Sequence, residues 1–481
     1  MFIETSRNIE GESPIFDMDS FDVWSGLFTE ENIKKVFLKH IFPKGGRGVD
    51  RISVDRFTLD LDAHAKLIHQ KCISGTYKFS PYLQKLCLKG KGKSPRVISI
   101  PTIRDKIVLK ILTQFLQSVF KNKLDRDLPN TIIRKLKAEI KTNTDKHLAN
   151  LKYIRLDLKE FYDSIPHNEL FTEIERVNCY YPFLRVLKKA ILNPTLAAGY
   201  ALADRKIKSN MGVPQGLSIS NILAEIYVAR FDQEVKEFTL AYYRFVDDIF
   251  ILCEGQNVDA VWGGIDKTIA ILRLKLNIKK STSVGLAENI NEKFEFLGYS
   301  FKNRSASVRD NTYKNFINSL IGYITKYKQS IQKENSQNEA TTKQIFIDEM
   351  NEKITGAIDE NRRFGWIAFF SEITDLYQLY EADRIIEKTL LILTWFSAED
   401  LKKIKKIVRA YFEINYSIKS GYIHDYNNYV TLAQKKEFLI RRGHSKENTL
   451  RALEPELIEQ LFLKVKAAYL LKLDRDIGKL S

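Results

Sequence analysis

The hydrophobic and polar positions change period along the chain. Between Lys152 and Phe301 the runs YIRLDL, YYRFVDDIFIL and FEFLGYSF are short and apolar, rich in β-branched and aromatic residues. They alternate with helical or loop segments such as NELFTEIERV and SNILAEIYVARFDQEV, which predicts an α+β region. Upstream, LKGKGKSPRVISIP predicts a Gly/Lys-rich hairpin tip leading into a strand that Pro101 ends, and KIVLKILTQFLQSVF has the spacing of a buried helix. After about residue 310 strand signals fade. The polar tract QKENSQNEATTK at 332–343 reads as a loop. Pro455 followed by ELIEQLFLKVKAAYLL reads as a helix start, with Leu457, Leu461 and Val465 spaced by four. There is no internal repeat of fixed period, so the C-terminal third is predicted to be a helical module.

Composition adds a direction. A hydrophobic content of 44% over 481 residues is ample for packed cores, in one large domain or several. The 76 Lys plus Arg against 60 Asp plus Glu give a formal charge of +16, which favours a polyanionic partner such as nucleic acid or an acidic membrane surface. Eight of the cations (85, 89, 91, 93, 96, 104, 106 and 110) fall between Lys85 and Lys110 beside a single acid, Asp105, so this segment is expected to face phosphates. There is no stretch of about 18 uncharged apolar residues, and the start MFIETSRNIEGESP lacks a basic region followed by an apolar one, so the expectation is a cytosolic protein without a membrane partner. Cys72, Cys87, Cys179 and Cys253 have no spacing that suits zinc or a disulfide framework and read as reduced, structural residues.

The candidate chemistry lies in three carboxylates. Asp247 and Asp248 stand side by side in an apolar, aromatic run, where two adjacent anions repel and cost burial energy unless a cation neutralises them. Taken alone, such a pair reads equally well as two exposed acids on a hairpin tip. Asp157 supplies a third carboxylate in another strand-like segment, which is expected to run to Ser164 and Pro166. Two strands can then present three acids at one sheet edge. That cluster suits two Mg²⁺ ions about 4 Å apart, one activating a 3′-hydroxyl and both stabilising in-line phosphoryl transfer.

The ordered set RVISIP with IRDKIV (96–108), RLDLKEFYDSI (155–165), MGVPQGLSISNILAEIYV (211–228), YRFVDDIFIL (243–252), LNIKKST (276–282) and FLGYSF (296–301) resembles reverse transcriptases. The resemblance covers fingers and palm, roughly residues 40 to 305. FGWIAFF at 364–370 extends it towards the thumb of group II intron-type enzymes, and GRGVDRISVDRF at 46–57 looks like their N-terminal extension. It implies an α+β right-hand polymerase with an antiparallel palm sheet: an N-terminal extension (1–45), fingers (46–150), palm (151–305), a helical thumb (306–395) and an α-helical C-terminal module (396–481). Two departures stand out. Phe245 replaces the usual Tyr before the acidic pair, and no HNH-like nuclease cluster follows.

Carried over residue by residue, Asp157, Asp247 and Asp248 match the metal-binding triad, with Leu158 as a further metal contact. The resemblance implies two Mg²⁺ ions, with Mn²⁺ as a substitute. Gln215 and Gly216 match the turn that contacts template and nucleotide, and Arg96 matches the cation that neutralises triphosphate. Lys280, or its neighbour Lys279, matches a proton donor to leaving pyrophosphate. Tyr162 matches the aromatic gate under the sugar, which favours deoxynucleotides. Asp163, one residue on, should point away by strand alternation and serve a local cap or salt bridge. Leu297, Gly298 and Tyr299 match the primer-grip hairpin.

The implied activity is RNA-directed DNA synthesis from dNTPs, with an RNA template and a DNA product. The helical C-terminal module without nuclease signatures looks most like bacterial defence-associated reverse transcriptases, whose templates include noncoding RNAs. Untemplated or protein-primed synthesis by the same site, and a maturase-like RNA-binding role, stay open. So does a homo-oligomer formed through the C-terminal helices. Tyr411, Tyr416, Tyr422, Tyr426 and Tyr429 read as amphipathic packing rather than as priming hydroxyls.

Overall fold

A computed structural model of the chain describes residues 18–477 except 44, 89–93, 125–126, 146–149, 202, 205–208, 332–338, 394–395 and 417–419. The Gly/Lys hairpin tip, the first part of the 332–343 tract and residues 1–17 of the expected N-terminal extension lie outside the described residues. The chain forms two compact units that interleave in sequence. The first takes the chain up to Arg126, then Leu158–Glu237 and Gly264–Asn277; the second takes Asp127–Asp157, Phe238–Gly263 and the chain from Ile278 onward.

In the first unit the predicted buried helix is Ile103–Val119. Thr102 caps it by accepting from the Asp105 amide, which leaves one fewer orphan donor at its start. The Asp105 carboxylate is buried beneath that cap and accepts from the Tyr77 hydroxyl at 2.7 Å and the Ser80 amide at 3.1 Å. Trp24 packs edge-on against Phe115 and Phe183, at 5.1 and 5.8 Å between ring centroids, contacts worth about 0.5–1.5 kcal/mol each beyond their area. A three-stranded sheet has β1 (Tyr82–Cys87) at its centre, antiparallel to β2 (Arg96–Ile100) and parallel to the short β4 (Thr195–Leu196).

The second unit holds three sheets. The first has the order β5 (Ala241–Phe245), β6 (Asp248–Glu254), β3 (Leu151–Asp157), β7 (Glu288–Asn289), every pair antiparallel. β6 is buried from Asp248 to Cys253, which is why its sequence is continuously apolar rather than alternating. The second is a meander of β8 (Phe294–Phe296), β9 (Tyr299–Lys302) and β10 (Ser305–Val308). Tyr153 stacks on Phe250 at 5.1 Å, and Phe294 and Phe301 continue the aromatic layer between these sheets. The helices Asp310–Ile331, Glu339–Thr355, Tyr377–Leu391 and Ile407–Asn415 add Phe316, Met350, Leu379 and Ile407 to the same core. Leu390 and Phe396 share it, so the expected division at 395 does not separate two cores.

Around the helices Leu432–Arg441 and Pro455–Asp476 a second core gathers Phe438, Leu439, Ile458, Phe462 and Tyr469. Beside it Arg442 donates to the Glu352 carboxylate at 2.6 Å, both side chains only 3% exposed, and the Tyr426 hydroxyl donates to the same carboxylate at 2.6 Å. Burial pushes the Glu352 carboxyl up, against the pull of Arg442 and Tyr426.

The α+β class with an antiparallel sheet is as expected, and three local readings are corrected. The supposedly all-helical region contains a sheet of β11 (Ala357–Asp359), β12 (Arg362–Phe364) and β13 (His424–Asp425). Strands of two or three residues carry no readable period. Residues 339–343 of the polar tract belong to a helix rather than a loop. In the last helix the buried stripe is Ile458, Phe462, Val465, Tyr469 and Leu473, while Leu457 is exposed. A strict spacing of four drifts off a face whose period is 3.6. All four cysteines are free, and among the described residues no helix is long and apolar enough to cross a membrane.

Candidate active site

The register of β3 on β6 sets Asp157 directly opposite Asp248. Residues facing each other across two strands share a sheet face, so two carboxylates meet at one sheet edge. Asp247 occupies the two-residue turn, Val246 and Asp247, that joins β5 to β6, because Phe245 pairs with Asp248. Val246 has φ +59°, a left-handed conformation that a β-branched residue adopts only under strain of about 1–3 kcal/mol. A tight turn therefore joins β5 to β6, and it is strained at Val246, immediately before the acidic pair.

The acids are not exposed tips. Asp157 and Asp248 are 3% and 2% exposed. Burial raises the Asp247 carboxyl above the ordinary range, and the charges of Asp248 and Asp157 add to the rise. Burial likewise raises Asp248, against the pull of Arg155. Lys279 and Lys280 are both exposed, but Lys280 Nζ lies 3.0 Å from Asp157 Oδ2, so of the two candidate lysines Lys280 is the one brought to the acids. Arg155 Nη2 lies 3.2 Å from Asp248 Oδ1.

The segment carrying Lys280 is fixed by its neighbours' hydroxyls. Ser281 Oγ accepts from the Asp157 amide at 3.0 Å, Thr282 Oγ1 accepts from the Arg155 amide at 3.0 Å, and the Thr282 amide donates to the Arg155 carbonyl at 2.7 Å. These bonds occupy the edge of β3 beyond the point where β7 stops, satisfying main-chain groups that a buried strand end would leave orphaned. Arg155, Ser281 and Thr282 were missed by the sequence reading. For Arg155 the signal was available: two residues before Asp157 on a strand means the same face.

Three carboxylates offer oxygen donors of the kind a hard divalent cation takes, and burial, with the neighbouring acids' charges adding to it, disfavours the ionised forms of Asp247 and Asp248 in a way that a bound cation relieves. The residues therefore fit such an ion. They are not gathered into a closed cage: among the described residues no three His, Cys, Asp or Glu form one, and Arg155 and Lys280 each hold one of the acids. Leu158 follows Asp157 and has only its main-chain carbonyl to offer a metal.

The other candidate residues divide between the two units. In the first, Tyr162 and Asp163 lie on a 3-10 turn, Phe161–Ser164, and the strand ends at Asp157 instead of running to Ser164. Strand alternation therefore does not orient Asp163, and its partner is neither a cap nor a cation. Gln215 Nε2 donates to both its oxygens, at 3.1 and 3.2 Å. The Tyr162 hydroxyl donates to Asn221 Oδ1 at 2.9 Å, and its carbonyl accepts from the Val213 amide. The Gln215 carbonyl accepts from the Ser99 amide on β2 at 2.7 Å, so Tyr162, Gln215 and β2 are joined. Arg96 begins β2 and is exposed.

Gly216 has φ +97°, and a Cβ there would stand 2.7 Å from Ile98 Cγ2 and 3.2 Å from the Ser99 carbonyl. Gly216→Ala is expected to cost about 1–3 kcal/mol through strain at this turn, read as a lower melting temperature. An unchanged melting temperature would contradict the close approach.

In the second unit, Leu297 and Gly298 form the two-residue turn of the β8–β9 hairpin, with φ +48° and +81°. Both values positive is the hairpin geometry whose twist matches the strands, and Gly at the second position suits it. The side chains of Leu297 and Tyr299 are buried, and the Tyr299 hydroxyl donates to the Phe369 carbonyl at 2.8 Å. Of the three expected primer contacts, only the main chain and Gly298 are left to face a ligand.

Residues 88–301 match the family described as reverse transcriptase (RNA-dependent DNA polymerase). Protein YkfC of Escherichia coli is 23% identical over 298 residues, covering 52% of this chain and 74% of that protein. The group II intron-encoded protein LtrA of Lactococcus lactis is 25% identical over 181 residues, 37% of this chain and 29% of LtrA. An uncharacterized 91 kDa protein in a cob intron of Schizosaccharomyces pombe is 29% identical over 185 residues, and the chain spans 21% of its length. Among solved structures, apo telomerase from Candida tropicalis aligns with 92% of this chain and 87% of its own at a TM-score of 0.38 and 13% identity.

Proposed function

We propose that this chain, a member of the reverse transcriptase family through residues 88–301, is an RNA-directed DNA polymerase that adds deoxynucleotides to a 3′-hydroxyl. The observation that carries the reading is the register pair Asp157 and Asp248, with Asp247 in the adjoining turn, inside the matched region. In the proposed mechanism Asp157, Asp247 and Asp248, with the Leu158 carbonyl, hold two divalent cations, Mg²⁺ or Mn²⁺. When bound, these supply Lewis acidity at the 3′-hydroxyl and the transferring phosphoryl group. The protein's own part is geometric and electrostatic. The strained turn fixes Asp247, and the Ser281 and Thr282 hydroxyls fix the segment from which Lys280 reaches Asp157. Lys280 carries a proton at Nζ that it is proposed to deliver to leaving pyrophosphate.

In the first unit Arg96, Gln215 and Gly216 are assigned to triphosphate and template, and Tyr162 to the nucleotide sugar. Tyr162→Ala is expected to relax discrimination against ribonucleotides by about tenfold or more, read as the ratio of kcat/KM for dNTP and rNTP. Undiminished discrimination would remove the gate role. The proposed setting is the bacterial cytoplasm, in antiviral defence, with an associated noncoding RNA as template. The sequence resemblance supports it, including the mainly helical region after residue 310 in which the sequence shows no nuclease signature.

The deciding experiment is Mg²⁺-dependent incorporation of labelled dNTPs by protein purified with its cellular RNA, followed by sequencing of the product. Product complementary to one co-purified RNA is the expected result. A random or homopolymeric product would replace templated with untemplated synthesis, and no product with tight intron-RNA binding would replace it with a maturase-like role.

A further inference from the structure

The acids of the site are already partly neutralised by the protein, and the manner of it is unequal. Lys280 stands on a segment at the edge of β3 and is 45% exposed. Arg155 is built into the strand itself. Its amide and carbonyl are both bonded to Thr282, its Cα is in register with Phe250, and its side chain lies on the same face as Asp157 and Asp248. The guanidinium therefore cannot leave with its backbone. It also cannot lose its charge by giving up a proton. Among the described residues its ion pair is with Asp248 alone, through one nitrogen at 3.2 Å, while its buried Nε has no hydrogen-bond partner. Arg–carboxylate pairs are frequently forked, through two parallel bonds. This one makes a single such bond among the described residues.

We propose that Arg155 is a built-in competitor for divalent cations at Asp248, which holds the affinity of the nucleotide-free site down. The inference rests on the reading that the three acids hold metal. The fixed positive charge keeps the buried acids together when no ion is bound, and any ion that arrives must share or displace it. An incoming triphosphate offers the guanidinium another anionic partner, so occupancy of the site by metal becomes coupled to occupancy by nucleotide.

The test is Mn²⁺ binding without nucleotide, followed by titration calorimetry and by loss of the free-ion magnetic resonance signal, on the full chain. The proteins are wild type, Arg155→Met, Arg155→Lys, Asp247→Asn and Arg155→Met with Asp247→Asn. Arg155→Met is expected to bind Mn²⁺ on the order of tenfold more tightly than wild type, since a like charge a few ångströms away is gone. Arg155→Lys, which keeps the charge, is expected to stay near wild type. The lysine variant also guards against misfolding, with melting temperature as the control for each protein. Unchanged or weaker binding by Arg155→Met overturns the proposal and makes Arg155 a residue that merely orients Asp248. If all five proteins bind Mn²⁺ alike, indifferent to Asp247, it is the metal reading of the acids that fails instead.

Discussion

Asp247→Asn is expected to lower Mg²⁺-dependent dNTP incorporation on the order of 10³-fold or more while leaving the melting temperature equal or about 1–2 °C higher. The two halves of that result have one cause. Asp247 is raised by burial and by its neighbours' charges against the pull of Lys280, and among the described residues it makes no ion pair, so its ionised form works against the fold. A neutral amide of the same shape removes that cost and with it the oxygen donor proposed for the cation. Asp247 is the cleanest of the three positions for this reason. Asp157 and Asp248 are each paired with a cation, and replacing either leaves Lys280 or Arg155 without its partner. Adding divalent cation should also raise the melting temperature of wild type and do so less in Asp247→Asn, since a ligand stabilises the state that binds it. Activity within tenfold of wild type would sink the catalytic assignment.

The second large effect concerns the fold alone. Arg442→Met is expected to destabilise the protein by about 3–5 kcal/mol, because among the described residues it leaves the buried Glu352 carboxylate with only the Tyr426 hydroxyl. Replacing Glu352 by Met as well should recover most of the loss, since an apolar pair of similar size carries no desolvation penalty. Denaturant unfolding of the two single variants and the double variant measures this directly. If Arg442→Met sits within about 1 kcal/mol of wild type, water reaches the pair and the burial drawn for it is wrong.

Much of the site was legible because its elements carry long signals. β3 and β6 are seven residues each; β6 is apolar between its terminal acids, and β3 is broken only by Lys152 and Arg155 before it ends on Asp157, an acid whose position in such a run demands a counter-charge. The turn at Gly216 was legible through the resemblance that MGVPQG carries, and the structure supplies the reason for the glycine: the Ser99 carbonyl and Ile98 leave no room for a Cβ. What could not be read depended on register or on short pieces. Nothing local in LNIKKST says that Ser281 and Thr282 bond to β3, since that needs the edge of a strand more than a hundred residues away to be open at that height. The orientation of Asp163 was misread because a 3-10 turn of four residues has too little sequence to distinguish it from the end of a strand. The sheet of β11, β12 and β13 failed for the same reason, and it joins residues near 358 to residues near 425 by two parallel pairs.

The order β5-β6-β3-β7 has a consequence for how the protein is made. β3 is the earliest strand of its sheet to leave the ribosome, and both of its neighbours come later in the chain. Asp157 must wait about ninety residues for Asp248, which at bacterial and eukaryotic elongation rates is roughly 5–20 s. For that interval an apolar strand has two unsatisfied edges, an invitation to pair with another nascent chain. Yield in a cell should therefore respond to translation speed and to chaperones that cover extended apolar segments more than to the stability of the finished molecule.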